Sequence, residues 1–239
     1  MRNICLLVLL LCLSCNNERI LQLPEIENAE IIEVLDVSPA YIFYDETQPD
    51  STLLNRKNLI STTNWLVNVD RRLTLKQAIP HIKFLQEKKR NAEMHKNENA
   101  KDYFTCNETS IGNLGFVDFT DIHFITDETP ISFYSQISQI YDDRIFIYPK
   151  IKNEESLHGQ SLMVEISAGS GIDLNLKWLF SFQFAQYLKS YYKESSKEFL
   201  EVSLSFDKNL SFQDYISIKS ELTQLMNDKI IIHTNEFIY

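Results

Sequence analysis

The sequence predicts an α+β fold: a mixed sheet with two or three packed helices, arranged in one reading as two related strand–helix(–strand) units. Three observations carry this. Apolar residues make up 44% of the chain, with 15 Phe and 11 Tyr, enough for a full core. Only five Gly and six Pro argue against disorder and against a turn-dense β-sandwich. A strand-to-helix corner is also written twice, once after Asp70 and once after Asp207.

In chain order, AEIIEVLDV (29–37) and AYIFYDE (40–46) read as strands separated by Ser38-Pro39, and QPDSTLLNRKN (48–58) as a loop. WLVNVD alternates as a strand, Arg71-Arg72 turn it, and Thr74 with Gln77 forms a capping-box pattern. Ile79, Ile82, Phe84 and Leu85 give that helix an incomplete apolar face, and Pro80 should kink or restart it. The charged run EKKRNAEMHKNENAKD reads as a solvated, mobile loop. Two or three strands broken at Gly112 and Gly115 follow in 103–128. SFYSQISQIYDD suits a short helix; RIFIYPK and SLMVEIS suit strands. Length favours a helix from near Asp173 through Tyr192, although its first half alternates. The chain ends on strand FLEVSLSF, helix SFQDYISIKSELTQLM and strand KIIIHTNEFIY.

The two corners align without a gap as VNVDRRLTLKQAI and LSFDKNLSFQDYI. Asp70 pairs with Asp207, Leu73 with Leu210, Thr74 with Ser211, Leu75 with Phe212 and Ile79 with Ile216. In each, an Asp-led turn ends the strand, Leu re-enters the core and a hydroxyl caps the helix. The segment FLEVSLSFDKNLSFQDYISIKSELTQLMNDKIIIHTNEF resembles the periplasmic domain of the ExbD/TolR biopolymer-transport family, with Asp207 at the strand end. The resemblance covers about a sixth of the chain. It implies a small α+β unit that contacts peptidoglycan or an envelope protein and pairs with itself. The family's membrane helix with its proton-carrying aspartate has no counterpart here, so no energising role is implied.

The start, MRNICLLVLLLCLSC, has the order of a secretory signal peptide: Arg2, an apolar run Ile4–Leu13, and small Ser14 before Cys15. The run is shorter than the roughly 20 residues that span a bilayer. Ser14-Cys15 resembles the bacterial lipobox, with Cys12 where that motif usually has Leu, and implies lipidation at Cys15. The boundaries that follow are a signal peptide at 1–14, a tether at 15–28, an N-terminal α+β part at 29–150 and a C-terminal α+β part at 151–239. The last two also read as one continuous domain, 29–239. Cleavage leaves 22 basic and 33 acidic residues, a formal charge of −11. Such a chain is a poor partner for nucleic acid and for anionic lipid surfaces. Of the four cysteines, Cys106 alone is left over, so no intramolecular disulfide is expected.

Candidate chemistry is sparse. Cys106 with His95 or His123 as base would make a nucleophile, but YFTC reads as a core strand. In FVDFTDIHF, a strand would place Asp121 and His123 on one face and Asp118 on the other, the start of a metal or hydrolase site. SLMVEIS-AGSG-Asp173 has the order of a phosphate cradle but lacks its fingerprint, and Ser170 lacks the flanking glycines of a nucleophile elbow. The aromatic run from Trp178 to Tyr192 reads as core. No catalytic residue and no cofactor are therefore expected. The sequence points to a cell-envelope lipoprotein, most simply of the outer membrane, that binds or scaffolds. Its partners would be the membrane through its anchor and an envelope protein or peptidoglycan. The alternatives are an accessory subunit of an ExbD/TolR-like complex, and an envelope hydrolase built around Asp118, Asp121 and His123.

Overall fold

Among the described residues twelve strands form two six-stranded sheets, joined by two helices, so the fold is α+β. The structure, a computed structural model, describes residues 19–92, 97–128, 143–150, 161–168, 177–180, 190, 200–224 and 230–239.

The first sheet takes β2 (Val37–Tyr44), β3 (Thr52–Asn55), β4 (Asn64–Val69) and β5 (Asp102–Glu108) in the order β3-β2-β4-β5. Short β1 (Glu25–Ile26) lies parallel to the end of β5, and β6 (Asn113–Asp118) lies antiparallel to β5. The second sheet runs β10-β9-β8-β11-β12-β7. Its strands are β7 (His123–Ile125), β8 (Asp143–Lys150), β9 (Ser161–Ala168), β10 (Lys177–Phe180), β11 (Leu200–Phe206) and β12 (Ile230–Ile238).

The two sheets share one plan. In the first, β2 and β4 are parallel, β4 and β5 are parallel, and β3 is the antiparallel hairpin partner of β2. In the second, β8, β11 and β12 take the same orientations, with β9 as the hairpin partner of β8. Helix α1 (Leu75–Arg90) connects β4 to β5, and α2 (Phe212–Thr223) connects β11 to β12.

The corners that align in sequence also touch in space. Thr74 and Ser211 form an antiparallel bridge, and the backbone bonds around it are reciprocal. Leu75 N–H donates to Leu210 O at 2.9 Å, and Phe212 N–H to Leu73 O at 2.7 Å. Lys76 N–H donates to Lys208 O at 2.7 Å, and Gln213 N–H to Arg71 O at 3.2 Å. Under the alignment each bond maps onto its partner, so the two units are related by a local two-fold through Thr74 and Ser211. Early amides of each helix, which have no acceptor within their own helix, are thereby met by carbonyls of the other turn.

Each helix caps as its sequence requires. Gln77 Oε1 accepts from the Thr74 N–H at 2.9 Å, and the Ser211 hydroxyl accepts from Asp214 N–H at 3.2 Å. One cluster of buried side chains spans both halves, from Trp65, Val67 and Val69 to Leu204, Phe206 and Phe212. Phe104 stacks on Phe119 at 3.8 Å between centroids and meets Phe212 edge-on at 5.2 Å, so the first sheet packs on the second helix.

Several elements differ from expectation. β2 runs through Ser38-Pro39 rather than breaking there. The Asp36 and Ile42 carbonyls accept from Asn64 and Asp70, so even-numbered residues of β2 bond toward β4. Pro39 faces the other edge, which β3 joins only from Tyr41, and its missing N–H costs no ladder bond. Thr52–Asn55 of the expected loop is strand β3. α1 is continuous through Pro80. Gly115 does not end a strand; a Cβ there would lie 2.7 Å from Ala29 Cβ, so glycine lets two backbones approach. Residues 177–180 pair antiparallel with β9 as strand β10, so the helix expected from near Asp173 does not include them; Ser190 is helical, and the other residues of that segment lie outside the described residues. The segment expected to be a tether also carries structure. Gln22 N–H bonds Asp70, and the Gln213 amide clasps both the N–H and the C=O of Glu25. Residues 132–142 of the expected short helix, and 169–171 of the expected AGSG turn with Ser170, lie outside the described residues.

Candidate functional site

A cleft of about 290 Å³ opens at the seam between the halves. One wall is the chain around Asn28–Ile31, another the β6–β7 corner from Phe116 to Ile122. α2 contributes Lys219, Ser220, Thr223 and Gln224, and β12 contributes Ile232, His233 and Thr234. A second hollow of about 330 Å³ lies across the Glu25–Asn28 segment, sharing Ile26, Asn28, Ser220 and Gln224 with the first.

Sequence explains each wall. β6 and β7 come from one short stretch that closes both sheets, β6 on β5 and β7 on β12. The corner between them is held by α1: Gln86 Nε2 donates to the Phe119 and Ile122 carbonyls at 3.3 and 3.0 Å, and Arg90 also reaches Ile122 O. Gln86 is 4% exposed, and its amide meets carbonyls that the turn leaves without strand partners.

Lys219, on one wall, belongs to a polar cluster buried behind the cleft. Lys219 Nζ bonds Glu236 Oε1, and the Tyr215 hydroxyl donates to Glu236 Oε2 at 2.7 Å. Tyr215 and Glu236 are wholly buried and Lys219 nearly so. Burial, with the Glu236 carboxylate beside it, raises the Tyr215 hydroxyl well above the phenol range. Tyr215 therefore stays a donor, and each charge finds its partner within the cluster. Sequence reasoning missed this site, although a signal was present. Phe212, Tyr215, Ile216, Lys219 and Leu222 recur at helical spacing, so Lys219 sits in an apolar stripe. Lys89 sits likewise on the buried stripe of α1 and bonds Asp102 at 2.6 Å, inside the run expected to be solvated loop.

The residues singled out by sequence are placed apart. Asp118 ends β6, where it accepts from Lys101 Nζ at 2.9 Å and from the Thr120 N–H and hydroxyl. Burial pushes its pKa up, but the Thr120 and Lys101 hydrogen bonds outweigh that and hold its carboxyl below the usual range. Asp121 is exposed in the corner and His123 is exposed at the start of β7. They do not share one strand with Asp118, because the corner intervenes. Asp118 and Asp121 line the cleft; His123 does not. Burial, then Arg90, lowers the His123 pKa against the opposing pull of Asp121. Among the described residues no three His, Cys, Asp or Glu side chains gather as a metal site.

Cys106 is wholly buried in β5, its thiol raised far above the usual range by burial and then by Glu108, so it is no nucleophile in the folded protein. Cys15 and His95 lie outside the described residues. No helix among those residues is long and apolar enough to cross a membrane. Comparison with known protein families, with curated proteins and with solved structures finds no match.

Proposed function

We propose that the chain is a cell-envelope lipoprotein, anchored through Cys15, that binds its target in the seam cleft rather than transforming it. The observation that carries the binding reading is that Lys219 and Asp118, two charged residues lining the cleft, are already paired. Lys219, Glu236 and Tyr215 satisfy one another, and Asp118 is committed to Lys101 and Thr120. The cleft thus offers a shaped surface, part apolar and part polar, with the exposed carboxylates of Glu30 and Asp121 on its walls and, among the described residues, no nucleophile–base pair directed into it.

The anchor reading rests on Arg2, the apolar run Ile4–Leu13 and Ser14-Cys15 followed by polar Asn16-Asn17-Glu18-Arg19. Acyl chains contribute about 0.8 kcal/mol per buried methylene, so two or three of them hold a protein durably. Arg19 pairs with Asp45 at the surface and the Ile20 carbonyl accepts from Arg72, and from Gln22 onward the chain is also held by Asp70 and by the Arg71 backbone. At roughly 3.6 Å per extended residue, the leash from Cys15 spans at most about 25 Å. The target belongs in that layer above the membrane: peptidoglycan or an envelope protein.

A second reading, an accessory subunit of an ExbD/TolR-like complex, is favoured by one observation. β11–α2–β12 is a parallel strand–helix–strand unit with Asp207 at the strand end, and it pairs with a second such unit.

Fatty-acid labelling and fractionation test the anchor. Cys15→Ser should abolish the label and release the protein from membranes; unchanged retention contradicts the anchor. Thr234→Arg, placed on the exposed cleft rim, should weaken retention of the Cys15→Ser protein on purified cell wall or its envelope partner without lowering its melting temperature.

A further inference from the structure

Val202 of β11 stands opposite Ile232 of β12, but Leu204 stands opposite Glu236. Ser203 therefore faces three residues, His233 to Asn235, and β12 carries a two-residue bulge. The first half has no such insertion: Trp65, Leu66 and Val67 face Asp102, Tyr103 and Phe104 in step. The bulge turns Thr234 out to solvent and supplies the His233–Thr234 wall of the cleft.

What chooses the bulged pairing is not the apolar pattern. A one-residue slip would turn each side chain to the opposite face, but a two-residue slip leaves every one on its own face. Ile232, Glu236 and Ile238 share a buried face in the bulged β12, and a straight β12 would keep them on it and bring Thr234 to it as well. A straight β12 would place Thr234 opposite Leu204 and move Glu236 opposite Phe206, about 7 Å along the strand. Lys219 and Tyr215, fixed on α2, would then be buried without their acceptor.

We propose that the Lys219–Glu236–Tyr215 cluster is the register lock of β12, selecting the bulged pairing and so building one wall of the cleft. The importance of that wall rests on the cleft being the binding face; the lock itself is tested without a ligand. Buried ion pairs contribute little to stability over apolar replacements of similar volume, and fixing a register is among their better-attested roles.

The test uses the full mature chain and cross-strand nuclear Overhauser contacts at Leu204. The wild type should show Leu204 against Glu236 alone. In the triple variant Tyr215→Phe, Lys219→Met, Glu236→Leu the chain should stay folded and show a second set of signals, with Leu204 against Thr234. A single register opposite position 236 in that variant would overturn the proposal. Loss of folding would overturn it too, since the cluster is assigned register and not stability. Deleting Thr234 and Asn235 is the converse experiment. It removes the bulge but leaves Glu236 opposite Leu204, so the cluster should form in a folded protein with one register. A deletion variant that unfolds, or that pairs Leu204 with another residue, would equally overturn the lock.

Discussion

In the first half of the molecule, Ala78 and Ile82 stand on the buried face of α1 and Phe104 stands opposite Val67 on the strand that follows. At the corresponding positions of the second half are Tyr215 and Lys219 on α2, with Glu236 opposite Leu204. An apolar trio in one unit is a hydrogen-bonded, charged trio in the other. The first half has a buried ion pair as well, Lys89 with Asp102, but at the other end of its helix from the Thr74 corner. Units built on one plan thus divide the work. The first supplies packing, and the second accepts a polar core whose geometry fixes the strand lining the cleft.

The comparison is broken most severely by unpairing the second trio. Glu236→Leu alone leaves Lys219 buried without an acceptor and should cost about 3–5 kcal/mol in a denaturant melt. Phe104→Ala, at the matching position, should cost a similar ~3–5 kcal/mol, but by cavity formation. Adding Lys219→Met and Tyr215→Phe should recover most of the loss for Glu236→Leu, because no charge or hydroxyl is then stranded. No polar second-site change should recover Phe104→Ala.

A smaller loss is expected at the seam itself. Gly115→Ala forces a methyl to 2.7 Å from Ala29 Cβ, an overpacking worth about 1–3 kcal/mol. Smaller again are the helix caps. Thr74→Ala and Ser211→Ala should each cost about 1 kcal/mol. Near-equal values would support the equivalence of the two corners, and a large difference would weaken it.

The smallest effect is on the acid limb. The folded-state pKa of Asp118 is depressed, so its stabilising contribution is present above the unfolded value and disappears as pH falls through the folded one. Asp118→Asn should therefore lower the neutral-pH melting temperature slightly, and the difference from wild type should close as pH drops below about 4.

How much was legible in the sequence follows from these elements. The two corners were, because Asp-led turns, Thr74 and Ser211 caps and apolar helix faces are local signals. That the two corners bond to each other was not, since a backbone bridge between residues 137 apart leaves no mark on either segment. β3 was hidden because Thr52–Asn55 is short and flanked by turn residues, although its partner β2 was apparent. The site was missed for a different reason. Asp118, Asp121 and His123 look like chemistry because they are close in sequence, whereas Lys219 and Glu236 are polar intrusions in apolar patterns whose meaning depends on packing. A charged residue on a buried stripe was the more informative signal.

The binding reading is tested most directly by amide hydrogen exchange on the lipidated protein, in native envelope and after purification. Contact with the target should add protection at Asn28–Ile31, Phe116–Ile122, Lys219–Gln224 and Ile232–Thr234, and leave the Asp45–Ser51 turn of the first half unchanged. Protection that appears on that turn instead, or a seam whose exchange does not differ between the two preparations, would contradict it.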